Sequence, residues 1–313
     1  LTACATPAAT PLPKTGTLRV GFSTEADVGD VPSLMAQDRL RAEGYTVETN
    51  FFSAADVQVA ALTQGSVDIG NGSTRTAWNA VGKGAEIATI AEQAADAWSI
   101  VAVNEIKTCA DLNGKRVGLT SSSSLNAALL KAYLKNCPGT EPQILTIANS
   151  SARAAALLAG ELDATPLELA DSAELAEKAP TRFHTLVNFA TELPQLKTTG
   201  VHVSRAFAQQ HPELVRAYLK ALLQVHRDIR SNPQVLSEAI ARYLNMDAAA
   251  AKRLGEAYLA RNIFDVNGGV TRDGIAYSVD FFTQTGSLPE GLNADKVSDL
   301  SYLEQVLQEI GRK

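Results

Sequence analysis

Residues Ala60 to Gly70, AALTQGSVDIG, recur in kind as AALLAGELDAT, Ala155 to Thr165. The shared frame is A-A-L-x-x-G-x-x-D, and its aspartates, Asp68 and Asp163, stand 95 residues apart. Each copy reads as a helix end, a glycine free to take the left-handed conformation that closes it, and a short strand. A solenoid repeats every 20–50 residues or so, which is too short a period for this echo. The spacing fits one supersecondary unit used once in each of two similar lobes. A chain of 313 residues has room for both.

The flanking sequence extends each unit. TLRVGFS alternates Leu18, Val20 and Phe22 as a strand does. Val31 to Glu43 reads as a helix, with Pro32 near its start and Gly44 at its end. TVETNFF alternates again, DVQVAALTQG reads as a helix closed by Gly65, and SVDIG as a buried strand. This βαβαβ order predicts an α/β fold with a mostly parallel sheet and helical crossovers. The second lobe spans about Glu105 to Lys197, with KRVGLT and QILTIA as strands and Leu125 to Lys135 and Ala152 to Ala159 as helices. WSIVAV and TTGVHVS flank it and read as two strands crossing between the lobes. After Val203 the pattern turns helical. HPELVRAYLKALLQVHRDI places Leu214, Tyr218, Leu222, Val225 and Ile229 on one face, and Asn232 with Pro233 opens a further helix. Asp247, Thr271 and Asp299 read as caps of three more. This tail is expected to pack on the first lobe. The expected division is therefore 1–16 as a tether, 17–103 plus 200–313 as a discontinuous first lobe, and 104–199 as the second.

Apolar residues make up 45% of the chain and charged residues 20%, with a net charge of −6. Nothing supplies the basic stripe that nucleic-acid binding needs. No apolar run reaches the roughly 18 residues of a membrane-spanning helix. Of three cysteines, Cys4 stands alone near the start. Cys109 and Cys137 form either a disulfide, in an oxidising compartment, or two buried thiols. No His or further Cys sits at ligand spacing around them, so no metal is expected. The opening LTAC resembles the end of a bacterial lipoprotein signal, in which the cysteine carries lipid. By that resemblance Cys4 is an anchor, and the Pro-rich stretch to Thr17 a flexible tether.

Four segments, LTQGSVDIG, DLNGKRVGLTSSSS, LLAGELDATPLE and HPELVRAYLKAL, occur in this order at these spacings. Together they resemble the solute-binding proteins of ATP-binding-cassette importers. The branch they resemble includes binders of aliphatic sulfonates, taurine, nitrate, thiamin-pyrimidine precursors and riboflavin. The resemblance implies a type II periplasmic-binding fold of two α/β lobes joined by two crossing strands, closing on a small ligand by hinge motion. It also implies an extracytoplasmic monomer whose partner is the membrane subunit of a permease, with no cofactor.

Ligands of open α/β sheets bind beyond the carboxyl ends of the strands. That rule selects Ser23, Thr24 and Glu25 after the first strand, Ser53 and Asp56 after the second, and Asn71 and Ser73 after the third; Phe52, at the end of the second, either packs or lines the cleft wall. In the second lobe it selects Ser121, Ser122 and Ser123 at a helix start, Asn149, and Glu168. The serine run offers backbone N–H donors to an anion, or is an ordinary cap. Trp98, at the first crossing strand, offers a stacking face or packs the hinge. Glu25 and Glu168 would face each other from opposite lobes. Two carboxylates disfavour an anion and favour a solute rich in N–H or O–H donors. A neutral aromatic nitrogen heterocycle, riboflavin or a thiamin-pyrimidine precursor, fits this better than sulfonate, taurine or nitrate.

The alternative of another class is an enzyme similar to the pyrimidine synthases of the same fold. Those use a cysteine-rich motif and an active-site His and Lys. Here the body cysteines are far apart in sequence and the four histidines scattered. No nucleophile stands beside a base at a defensible spacing, so no catalytic residue is expected.

Overall fold

Among the described residues, ten short strands carry the architecture: β1 (Thr17–Phe22), β2 (Thr46–Phe51), β3 (Ile69–Ser73), β4 (Ile87–Ala91), β5 (Ser99–Val103), β6 (Arg116–Leu119), β7 (Gln143–Thr146), β8 (Ala164–Leu167), β9 (Phe183–Asn188) and β10 (Thr199–Ser204). The computed structural model describes residues 16–23, 25–122 and 124–313. The expectations for Cys4 and its tether, for Thr24 and for Ser123 lie outside the described residues.

The strands form two five-stranded sheets, ordered β2-β1-β3-β10-β4 and β7-β6-β8-β5-β9. Three strands of each sheet pair in parallel, as the βαβαβ pattern predicts. Then one strand runs against its neighbours, β10 between β3 and β4, and β5 between β8 and β9. The sheets are thus mixed. WSIVAV and TTGVHVS do not run through both lobes. β5 pairs wholly in the second sheet and β10 wholly in the first, and the chain crosses through 92–98 and 189–198 instead. Each antiparallel strand is the one that has just arrived from the other lobe.

The sequence echo has a physical cause. Helix Ala55–Thr63 ends before Gly65 at φ 73°, and helix Ser150–Ala159 ends at Gly160 at φ 79°, both in the left-handed region. Each glycine turns the chain toward a strand preceded by an aspartate. Asp68 accepts from the Arg19 backbone N–H at 2.8 Å and from Nε and Nη2 of the same arginine at 3.1 and 2.6 Å. Asp163 does the same to Arg116, at 2.8, 3.1 and 2.7 Å. The aspartate therefore clamps the start of the neighbouring parallel strand, through a bidentate pair plus a backbone bond.

The helical tail packs as its apolar stripe requires. Leu214, Tyr218, Leu222, Val225 and Ile229 of helix Pro212–Ser231 are all buried, and the last four share one core with Val20 and Phe22 of β1 and with helix Val31–Ala42. Asn232 caps helix Pro233–Tyr243 and Asp247 caps helix Ala248–Ala260, each accepting backbone N–H groups. Thr271 does so for Arg272–Gln284, and Asp299 accepts from Ser301 N at the start of Ser301–Ile310. In the second lobe Cys109 and Cys137 are joined by a disulfide, with Cα atoms 5.9 Å apart. It ties the turn before β6 to the end of helix Leu125–Leu134. Among the described residues no helix is long and apolar enough to cross a membrane.

Candidate functional site

A cavity of about 290 Å³ lies between the sheets, lined by both crossing segments and by loops of both lobes. Its position follows from topology, because the carboxyl ends of β1, β3, β4 and β8 all open onto it. From the first lobe come Ser23, Asp27, Asp30, Ser73 and Gln93, and from the helical tail Tyr258 and Ile263. Trp98 and Thr198 come from the crossings, and Leu125 and Glu168 from the second lobe.

The loop after β1 folds on itself. Asp27 Oδ1 accepts from Gly29 N at 2.7 Å and Asp30 N at 3.3 Å, an Asx turn that sets Asp30 at the wall. Gln93 Nε2 donates to Asp30 Oδ1. Asp27 is solvent-exposed, yet the protein packed around its carboxyl desolvates it and raises it above the usual range, against the pull of its two N–H donors. Asp30 is raised further, by burial and then by the charge of Asp27. Across the cleft Glu168 precedes helix Leu169–Lys178 and makes no cap bond with its side chain. Its carboxyl is pushed up to about 7 by burial and by the charges of Asp27 and Asp171, with Arg153 pulling the other way. Arg153 does not line the cavity. It is fully buried behind it, bonded to Pro166 O, Thr120 Oγ1 and Ile147 O, with its guanidinium carbon 5.8 Å from the Trp98 ring centre. Burial lowers its pKa. Among the described residues that line the cavity there is no Lys, Arg or His.

The crossing segments are pinned to each other. Lys197 Nζ lies 3.1 Å from Glu92 Oε1, and both side chains are nearly buried. Asp96 is buried beside them and accepts from Trp98 N at 2.9 Å, which fixes the backbone of the tryptophan. Glu92 and Asp96 are each pushed up to about 7, by burial first, with Lys197 lowering both. At the rim the lobes touch: Arg253 pairs with Glu177 at 3.2 Å and Arg261 Nη1 donates to Ser99 Oγ at 3.1 Å. Leu169 of the second lobe enters the first lobe's core.

The residues selected from sequence divide. Ser23, Ser73, Trp98 and Glu168 line the cavity together. Ser73 also caps helix Thr74–Gly82. Glu25 is exposed and off the wall, and Asp27, two residues on, holds the place opposite Glu168. Asn71 lies inside β3, which extends to Ser73 because β10 pairs with it; its amide is fully buried and bonds to Ser33 Oγ and Tyr218 OH. Phe52 packs on a core cluster, and Asn149 caps helix Ser150–Ala159 from an exposed position. Ser121 and Ser122 stand off the wall, and Ser124 is the residue that caps Leu125–Leu134. Asp27, Asp30, Gln93 and Tyr258 were missed. The run EADVGD carries an Asp-x-Gly turn signal that could have located the first two. Nothing local marks Tyr258, which reaches the cleft only because the tail packs back.

The histidines all stand elsewhere. His202 is buried between Thr89 Oγ1 and Gly72 O, and His226 is buried against Asp265 O. His184 bonds to Ile106 O, and His211 is exposed near Glu213.

Residues 32–235, well over half the chain, match the family described as NMT1/THI5 like. The chain belongs to this family. No curated protein matches it in sequence. Solved structures share its two-lobed fold. One is the periplasmic aliphatic sulphonate-binding protein SsuA of Escherichia coli, 20% identical, with a TM-score of 0.73 over 90% of this chain and 92% of that one. Another is the alkanesulfonate-binding SsuA of Xanthomonas axonopodis bound to MOPS, 22% identical, with a TM-score of 0.65 over 93% and 99%. The periplasmic nitrate-binding protein NrtA of Synechocystis is 12% identical, with a TM-score of 0.68 over 96% and 90%.

Proposed function

We propose that this chain captures a small organic nutrient between its lobes and delivers it, unchanged, to the membrane subunits of an ATP-binding-cassette importer. Its solute is an aromatic nitrogen heterocycle, neutral in solution and rich in N–H donors, such as riboflavin or a thiamin-pyrimidine precursor. The observation that carries this reading is the cavity wall: carboxyls from both lobes beside Trp98, and no basic side chain among the described lining residues. Such a wall repels an anion and accepts from donors, while the indole gives a plane to stack on. Family membership and the fold of the solved neighbours support the binding-protein role. The protein would work outside the cytoplasm as a monomer, held near its permease by a lipid on Cys4.

A sulfonate is the second reading. It is favoured by what the two SsuA proteins are named for, and by Arg153 behind Trp98, whose Nη2 is buried without a partner. Titration calorimetry with riboflavin, a hydroxymethyl aminopyrimidine, butanesulfonate and nitrate separates the two. A heterocycle should bind and raise stability by about 4 kcal/mol at a thousand times its Kd. Trp98→Ala should weaken that binding at least tenfold, about 1.4 kcal/mol. Tight binding of butanesulfonate alone would replace the first reading with the second, and turnover of any of the compounds would replace transport with catalysis.

A further inference from the structure

The acceptors around the cleft outnumber any donor the protein sets against them. Asp27 and Asp30 stand on one side and Glu168 on the other. Gln93 adds an independent sign. It is 5% exposed, lines the cavity, and donates to Asp30 through Nε2; that orientation leaves its acceptor, Oε1, buried with no partner. A buried acceptor left unmatched costs free energy, and a ligand donor at the wall relieves it. The indole of Trp98 already has the Arg153 guanidinium near it, so a second cation over the same ring is repelled. Positive charge in the ligand therefore belongs at the carboxyls, and its flat, uncharged part at Trp98.

We propose that the cleft selects a heterocyclic nitrogen base and holds it as its conjugate acid, with ligand N–H groups meeting Asp27 and Glu168 from opposite lobes. This rests on the reading of the cleft as the site of a ring solute and adds a charge to it. A weak base enters neutral and takes up one proton from water as it binds; no other bond is made or broken. The proton lies between the ring nitrogen and a carboxyl, and the count is the same on whichever it rests. The groups that face this proton are Asp27 and Asp30 from the first lobe, Glu168 and Asp171 from the second, Tyr258 from helix Ala248–Ala260, and Arg153 behind Trp98. All but Arg153 favour keeping it. The raised carboxyls of Asp27, Asp30 and Glu168 agree, since each holds a proton more readily than a free side chain.

The test is calorimetry of the full chain near pH 8, in buffers of different ionisation enthalpy, with 4-aminopyrimidine, its carbocyclic match aniline, and benzenesulfonate. The expected result is 4-aminopyrimidine binding at least tenfold tighter than aniline, with uptake of about one proton, and affinity falling about tenfold for each further pH unit. Glu168→Gln, and Asp27→Asn from the other lobe, should each cost 4-aminopyrimidine about tenfold and lower the proton uptake, with aniline unmoved. Asn at 27 keeps an oxygen for Gly29 and Asp30, and Glu168 caps nothing with its side chain, so both variants should fold. Equal binding of aniline, or binding of 4-aminopyrimidine by the parent protein without proton uptake, overturns the inference and leaves the neutral-ring reading standing. Riboflavin binding where all three probes fail does the same. Failure of riboflavin as well, or binding of benzenesulfonate alone, removes the ring-solute reading itself.

Discussion

The two lobes share a sheet order and an Asp–Arg clamp but are stabilised by different means. In the first lobe the clamp is deep: the Asp68 side chain is 3% exposed, and a long helical tail buries β1 beneath it. In the second the Asp163 side chain is 22% exposed, the edge strand β7 is exposed along its length, and no tail covers it. A disulfide stands there instead. The same local chemistry thus serves a lobe held by apolar burial and a lobe held by a crosslink. The cavity inherits the asymmetry, since most of its wall belongs to the first lobe and the second contributes chiefly Glu168.

Removing the clamp from each lobe in turn should widen this contrast. Asp68→Ala removes a nearly buried acceptor of three N–H groups but leaves Arg19 partly open to water, and should cost about 2–3 kcal/mol, read as a drop in the denaturant midpoint. Asp163→Ala, at a wetter site, should cost about 1 kcal/mol. Equal losses would mean that depth does not set the strength of the clamp. The crosslink comes next. Opening Cys109–Cys137, a closed loop with a sequence separation of 28, should cost about 3–4 kcal/mol by chain entropy. Hydrogen exchange should rise throughout β6–β9 and hardly change in β1–β4. Uniform loosening would show that the lobes unfold as one unit.

The remaining effect is on pH. Glu168, Glu92 and Asp96 have folded pKa values near 7, above those of free carboxyls, with burial the main cause. Folding therefore takes up protons in that window, and their stabilising share is full below about pH 4 and lost as pH rises toward 7. His202 and His226, held down at about 4 by burial, act in the opposite direction and withdraw stability as pH falls below about 6.5. Thermal melts of Glu168→Gln should decline less between pH 5 and 7 than those of the parent protein.

Sequence patterning reached the elements and their caps because those depend on neighbours in the chain. The left-handed glycines, Asn232 before Pro233, and the stripe from Leu214 to Ile229 are local facts. The repeated aspartate was visible, but its arginine partner was not, because Arg19 and Asp68 meet only when β1 pairs with β3. The site was half legible. Strand ends pointed to Ser23, Ser73, Trp98 and Glu168, while Asn71 was lost to an extended strand and Glu25 to a turn that moved the acid two residues along. Gln93 and Tyr258 depend on tertiary packing alone.

The order in which the chain crosses between the lobes has a consequence for biosynthesis. The second sheet uses only residues 99–188, a continuous stretch, whereas β4 of the first has no strand neighbour until β10 has been made. On the ribosome the earlier-made half must therefore wait, its sheet split, while the later-made half closes. A nascent chain stalled just after β9 emerges should already protect β5–β9 from protease and leave β4 cleavable.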